Sequence, residues 1–323
     1  MQTRFLPAPA LAAVLALVAT LAGAATASAT KYADLRVVAT NGTTLAEFRQ
    51  YTGGRRIPTD RRAECFGEGT GGSGDSFRIG ASPITALADA SSSERDLRPL
   101  SITDYYLDSF GPGLCGISGM QTRGNRFWET KVDHADSQVG PGEPLDGGED
   151  VLFYRTPTFP PPPELVLRAP ASADPGAPYQ VTVTAHSDAG ESEPAQGAMV
   201  DGAAAPADAQ GHALVTSPPG TASLQATRGD DIPSNLERVC VEADAGACPA
   251  AEGIVAFGRD AEDSIRGTAG NDRIVAGGGD DRIEISSGGA DRVRCGAGRD
   301  VVIRDPGDGA PDDLVDCERK RRP

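Results

Sequence analysis

Five aspartates near the carboxyl end stand at an almost constant step: Asp263, Asp272, Asp281, Asp291 and Asp300. Aligned on them, the chain reads as five nine-residue units, 258–266, 267–275, 276–284, 286–294 and 295–303, with Ile285 as one inserted residue. The eighth place is apolar throughout (Ile265, Ile274, Ile283, Val293, Val302), and from the second unit on the fourth place is Gly270, Gly279, Gly289 and Gly298. Two independent columns agree over five units and a third over four, which is the signature of an internal repeat. A glycine-rich bend exposes carbonyl oxygens, and one carboxylate beside them adds charge. Such a set needs no His or Cys and suits a hard cation such as calcium, which takes about six to eight oxygens. Asp263 and Asp281, Asp272 and Asp291, and Asp281 and Asp300 lie 18, 19 and 19 residues apart. Two units therefore return the chain to the same side.

The pattern Gly-Gly-x-Gly-x-Asp-x-apolar-x resembles the nonapeptide calcium repeats of the RTX proteins. The resemblance implies a parallel β-roll in which the five aspartates and the four glycines of the fourth column hold calcium. The first two places depart from Gly-Gly in several units (Gly267-Thr268, Ser286-Ser287, Cys295-Gly296), and Arg273, Arg282 and Arg292 directly follow their aspartates. A degenerate sixth unit over 308–316 has Asp313 and Val315 in register and Pro311 in place of glycine, and reads as the end cap of the stack. The basic tail 318–323 reads as solvated.

Residues suited to catalysis are few. The histidines are His134, His186 and His212, none within an H-E-x-x-H string, and no G-x-S-x-G elbow or EF-hand loop occurs. Residues 67–72 fit G-x-G-x-x-G without a βαβ setting and read as loop. An exported hydrolase would have to work around Asp133, His134 and Glu129, although Asp133-His134 reads better as an exposed turn. The leading expectation is a non-enzymatic protein that binds calcium.

The elements that must position these residues follow from the rest of the chain. With 323 residues, two or more compact units are expected. A net charge of −16 with only three lysines argues against nucleic acid as a partner. Forty Gly, 25 Pro and 16 aromatics point to turns and β-structure. Residues 1–29 carry Arg4, an apolar stretch over 11–21 and Ala27-Ser28-Ala29, which together read as a secretory signal peptide. No later segment is long and apolar enough to span a bilayer, so a secreted, extracellular protein is expected. All six cysteines follow this leader, an even number that suits disulfides in an oxidising compartment. Pairing within units is expected: Cys65 with Cys115, Cys240 with Cys248, Cys295 with Cys317.

Three segments emerge. Residues 30–157 hold strands at 35–40, 127–132 and 151–154, a turn at Asn41-Gly42 and a helix at 84–92 with Pro83 in its first turn. Residues 101–110, Phe127-Trp128, Val132-Asp133-His134, Gly140, Leu145 and 148–154 together resemble the transcobalamin-like C-terminal domain, with Asp133-His134 where that family usually has Asn-Gly. The resemblance implies a β-grasp-like sheet, and in the family's animal vitamin carriers that fold packs against cobalamin. A small-molecule or cell-surface ligand is therefore a candidate partner, with Phe127 and Trp128 as possible stacking residues; corrinoid capture is the narrower version. Since side chains alternate along a strand, one of the two faces away from the core. A linker at 158–163, rich in proline, precedes short alternating strands over 164–242. That segment, with 197–200 and 208–211, resembles a bacterial immunoglobulin-like or carboxypeptidase-regulatory-like module. Residues 243–257 read as a second linker and 258–317 as the repeat. The expected fold class is mainly β and multidomain: a small α+β unit, a β-sandwich and a C-terminal parallel β-roll.

Overall fold

A computed structural model describes residues 30–243, 252–285, 288–304 and 312–321. The expected leader at 1–29 and Cys248 lie outside the described residues. The chain is mainly β, and its helices among the described residues are Pro83–Ser93, a single turn at Leu107–Phe110 and two short 3-10 turns.

In the front unit Lys31–Val38 and Thr44–Thr52 form an antiparallel hairpin, turned at Gly42 with φ +78°. Glu149–Thr156 runs parallel to Lys31–Val38 on its other side, followed outward by the antiparallel strands Phe127–Val132 and Ala135–Asp136. Ser82 begins the helix with its N–H donating to Thr85 Oγ1 at 2.9 Å, and Pro83 fills the first turn, where a missing N–H costs nothing. Alternation divides the sheet. Leu35, Val37, Trp128, Val151 and Phe153 face Ile84, Leu87 and Ala90 of the helix, while Val38, Leu152 and Tyr154 pack with Ile232 of the middle unit. A Cys65–Cys115 disulfide ties the loop around Cys65 to the strand Gly113–Ile117.

The middle unit opposes two small sheets. One joins Glu164–Arg168, Tyr179–His186, Ser192–Pro194 and His212–Val215; the other joins Ser172–Ala173, Glu237–Val241 and Gly220–Leu224. Their inward residues, among them Leu165, Leu167, Val181, Val183, Val215, Val239 and Val241, make one core. The segment 158–163 forms no strand, as its prolines dictate.

Beyond it the strands alternate between two parallel sheets. Glu252–Phe257, Asn271–Val275, Arg292–Arg294 and Asp313–Val315 form one; Ser264–Arg266, Arg282–Ile285, Val301–Arg304 and Arg319–Arg321 form the other. Ile265, Ile274, Ile283, Val293 and Val302 point between them, at most 1% exposed. Arg273, Arg282 and Arg292 point outward.

Three expectations need correction here. Residues 252–257 are not linker: Glu252–Phe257 pairs in parallel with Thr44–Thr52 (Arg49 opposite Ala256, Gln50 opposite Phe257), so one nine-stranded sheet runs from the front unit into the coil. The reason is that Thr44–Thr52 would otherwise be an edge with unpaired backbone groups. Arg319–Arg321 is not a free tail, because its backbone pairs with Val301–Ile303 and closes the second sheet. In the sixth unit the inward residue is Leu314, opposite Val293, and the residue opposite Asp291 is Asp312, one place earlier than the sequence alignment has it.

Candidate metal centre

The repeat aspartates stack along the two edges of the coil. On one edge Asp263 N–H donates to Asp281 Oδ1 at 2.8 Å, Asp281 N–H to Asp300 Oδ1 at 3.0 Å, and Asp300 N–H to Glu318 Oε2 at 2.9 Å. On the other, Ile254 N–H donates to Asp272 Oδ1 at 2.8 Å, Asp272 N–H to Asp291 Oδ1 at 2.9 Å and Asp291 N–H to Asp312 Oδ1 at 3.4 Å. All five predicted aspartates are at most 2% exposed. Glu318 and Asp312 extend the ladders and were not in the sequence set. The step of 18 from Asp300 lands on Glu318 and is the signal that would have found it.

The turns between them need glycine. Gly279, Gly289 and Gly298 have φ of +122°, +94° and +145°, where L side chains are strained, and a Cβ on any of them would collide with backbone of the turn one coil before. Gly270 does not share that conformation; its carbonyl is what a Cβ on Gly289 would strike. The turns thus lie directly on one another, with Ala297 N–H donating to Gly277 O at 3.1 Å and Gly279 N–H to Ala297 O at 2.8 Å.

Electrostatically this is a costly arrangement. Burial, with Asp263 and Asp300 nearby, pushes the Asp281 carboxyl up to about 7, against the lowering effect of its bond from Asp263 N–H. Burial also raises Asp263 and Asp300. The second oxygens of Asp281 and Asp300, both Oδ2, are buried and accept no hydrogen bond. Two stranded carboxylate oxygens beside glycine turns fit a hard divalent ion, which supplies the missing positive charge. Among the described residues no three His, Cys, Asp or Glu groups converge, so an ion here would take most of its ligands from backbone carbonyls.

Cys295 and Cys317 are bonded, joining the fifth unit to the segment after the sixth. Cys240 is also disulfide-bonded, and its expected partner Cys248 lies outside the described residues. Two disulfides within the described residues point to an oxidising compartment. No helix there is long and apolar enough to cross a membrane.

The other candidates lie elsewhere. Asp133 and His134 form a two-residue turn, both with positive φ (48° and 70°), between Phe127–Val132 and Ala135–Asp136. Asp133 is exposed as expected, but His134 is not, its side chain 22% exposed. His134 leans onto the middle unit with Nδ1 3.3 Å from Glu164 Oε1, its ring 4.4 Å from that of His186. Glu164, 2% exposed, also pairs with Arg36, whose Nη1 donates to Pro233 O at 2.8 Å. Asp133 instead accepts from Asp150 N–H at 3.0 Å. Glu129 is pushed up to about 7 by burial and by Asp136 and Asp188, on the same sheet face as the buried Lys131. Nothing joins Glu129, Asp133 and His134 into one constellation. A cavity of about 680 Å³ lies beside His134, with Arg36, Asp150, Glu164 and Arg238 also among its walls. Trp128 is core, 7% exposed, its indole N–H donating to Met120 O at 2.8 Å, while Phe127 faces the other way; the two share no surface.

Comparison with known proteins finds one family: the RTX calcium-binding nonapeptide repeat, described as four copies, matches residues 257–284. No curated protein and no solved structure matches the chain.

Proposed function

From a matched repeat whose buried acidic ladders leave oxygens unpaired, we propose that this is a secreted, non-enzymatic calcium-binding protein. Its C-terminal segment is a parallel β-roll of the RTX type. The observation that carries the reading is the pair of buried, unbonded oxygens on Asp281 and Asp300, set among turns that only glycine can make. Asp263, Asp272 and Asp291, with Gly270, Gly279, Gly289 and Gly298, complete the repeat that shapes those turns. The ion's role is structural: it neutralises stacked carboxylates and joins successive coils.

The front unit supplies a ligand- or surface-binding domain. Its order of hairpin, helix and a last strand parallel to the first supports the β-grasp-like reading. The opposed sheets of the middle unit support an immunoglobulin-like spacer.

Melting the full chain in millimolar calcium, in magnesium and in chelator tests the proposal. Calcium should raise the transition of the coil and magnesium should not, because magnesium demands a near-octahedral site and sheds its waters reluctantly. An identical melt in all three conditions rejects the reading.

A further inference from the structure

Four of the repeat turns lie wholly within the described residues; they are of two kinds, divided by the residue in second place. In the first two units that place holds Arg259 and Thr268. The N–H of Arg259 donates to Asp263 Oδ2 at 2.6 Å, and that of Thr268 to Asp272 Oδ2 at 2.7 Å. Each side chain then takes the other oxygen: Arg259 Nε donates to Asp263 Oδ1 at 2.7 Å and Thr268 Oγ1 to Asp272 Oδ1 at 2.8 Å. Both carboxylates are thus engaged by their own turns before any ion arrives. In the third and fifth units the second place is Gly277 and Gly296, with φ of +99° and +97°. That conformation is open to glycine and strained for other residues. In that conformation the glycine N–H does not donate to the aspartate of its own turn, and Oδ2 of Asp281 and of Asp300 is left without a donor.

We propose that Arg259 and Thr268 close the first two turns of the coil to metal, the Arg259 guanidinium standing where a cation would sit. Calcium then loads on the edge built by turns 276–281 and 295–300. This rests on the calcium reading above and goes beyond it by dividing the repeat into an ion-independent start and an ion-dependent continuation. The Arg259 side chain is held as a fixed counterion: Nη2 donates to Glu262 O at 2.7 Å, and a Cβ on Gly53 of the front unit would collide with the guanidinium. A divalent ion entering at Asp263 would have to break this pair and leave two cations side by side in a half-buried site, which Coulomb repulsion opposes. The first coil can do without an ion because the front unit already holds it. Gln50 Nε2 donates to Phe257 O at 3.1 Å, Arg266 N–H donates to Tyr51 Oη at 3.1 Å, and Phe48 meets Phe257 edge to face at 4.7 Å.

Calorimetric titration of calcium into the full chain tests this by stoichiometry. Asp263→Asn and Asp272→Asn should retain the wild-type number of ions, whereas Asp300→Asn should lose one. Arg259→Gly, which frees Asp263, should gain one. Loss of an ion from Asp263→Asn or Asp272→Asn, matching Asp300→Asn, would overturn the proposal while leaving calcium binding intact. If Asp263→Asn fails to fold, Arg259→Gly decides: an unchanged stoichiometry refutes the role of the guanidinium. A wild-type chain that takes up no calcium rejects the underlying calcium reading instead.

Discussion

Replacing Asp281 with asparagine should move stability in opposite directions with and without calcium. The side chain is 1% exposed; Oδ1 accepts from Asp263 N–H and Oδ2 accepts nothing. Asparagine keeps the Oδ1 acceptor, matches the carboxylate in shape and removes the charge that burial and the neighbouring Asp263 and Asp300 oppose. Stranding a buried polar atom costs about 1–3 kcal/mol, and more when it is charged. In chelator, at mildly alkaline pH, the variant should therefore gain about 1 kcal/mol or more, which is roughly 2–4 °C in melting temperature for a unit of 150 to 250 residues. In calcium the order reverses. An ion held a hundredfold above its dissociation constant stabilises the wild type by about 2.7 kcal/mol, and the variant lacks that gain. Differential scanning calorimetry of both proteins in both conditions reads the crossing directly. If the variant melts lower in chelator as well, or if calcium raises both proteins equally, then Oδ2 of Asp281 is not where the ion is held.

Removing the Cys295–Cys317 bond, which joins residues 22 apart, should lower the denaturant midpoint of the coil by the equivalent of about 3 kcal/mol; an unchanged midpoint would mean that the far end is held by strand pairing alone. His134 is held above its usual 6.5, chiefly by the Glu164 carboxylate 3.3 Å from its Nδ1 with burial opposing, so its contribution is full below 6.5 and fades as pH rises through the folded value. Burial would raise Glu164, but His134 and Arg36 outweigh it and hold its carboxyl below the usual 4.5. That contribution is present above 4.5 and is lost as pH falls through the folded value. Thermal melts across pH should accordingly show His134→Gln losing stability mainly on the acid side of neutrality; equal losses at pH values well above and below it would contradict the assignment. Glu129 is raised to about 7 by burial, Asp136 and Asp188, so the wild type should lose stability between 4.5 and about 7, and Glu129→Gln should flatten that slope in the same melts.

How much of this was legible in the sequence depends on how local each determinant is. The coil was readable because its periodicity is covalent: a step of 18 or 19 residues carries Asp263 to Asp281 and Asp281 to Asp300 whatever the rest of the chain does. The sixth unit breaks that regularity by insertion, so the alignment settled on Asp313 and Val315 where pairing with Arg292–Arg294 selects Asp312 and Leu314. In Glu252–Phe257 the places of the repeat's glycine and aspartate hold Glu252 and Ile254. It becomes a strand because Thr44–Thr52, some two hundred residues earlier, offers it an edge. Asp133-His134 was readable as a turn from its place between strands. The partial burial of His134 was not, because Glu164 arrives from beyond the proline segment. Arg259 and Thr268 were visible as residues in a place glycine prefers, but the consequence lies in the direction of their amides, which no residue pattern encodes.

A stack of parallel strands is a one-dimensional polymer, and such polymers grow wherever an end stays open. Here the front unit's hairpin acts as a primer laid against the first rung, so elongation has a fixed origin and a single direction along the chain. The last rung is tethered to the fifth unit by the Cys295–Cys317 cross-link, which acts as the terminator. With one end seeded and the other tethered, the rungs of the coil that keep an outer edge among the described strands are Ser264–Arg266, Asp313–Val315 and Arg319–Arg321, and a neighbouring molecule could continue the stack only there.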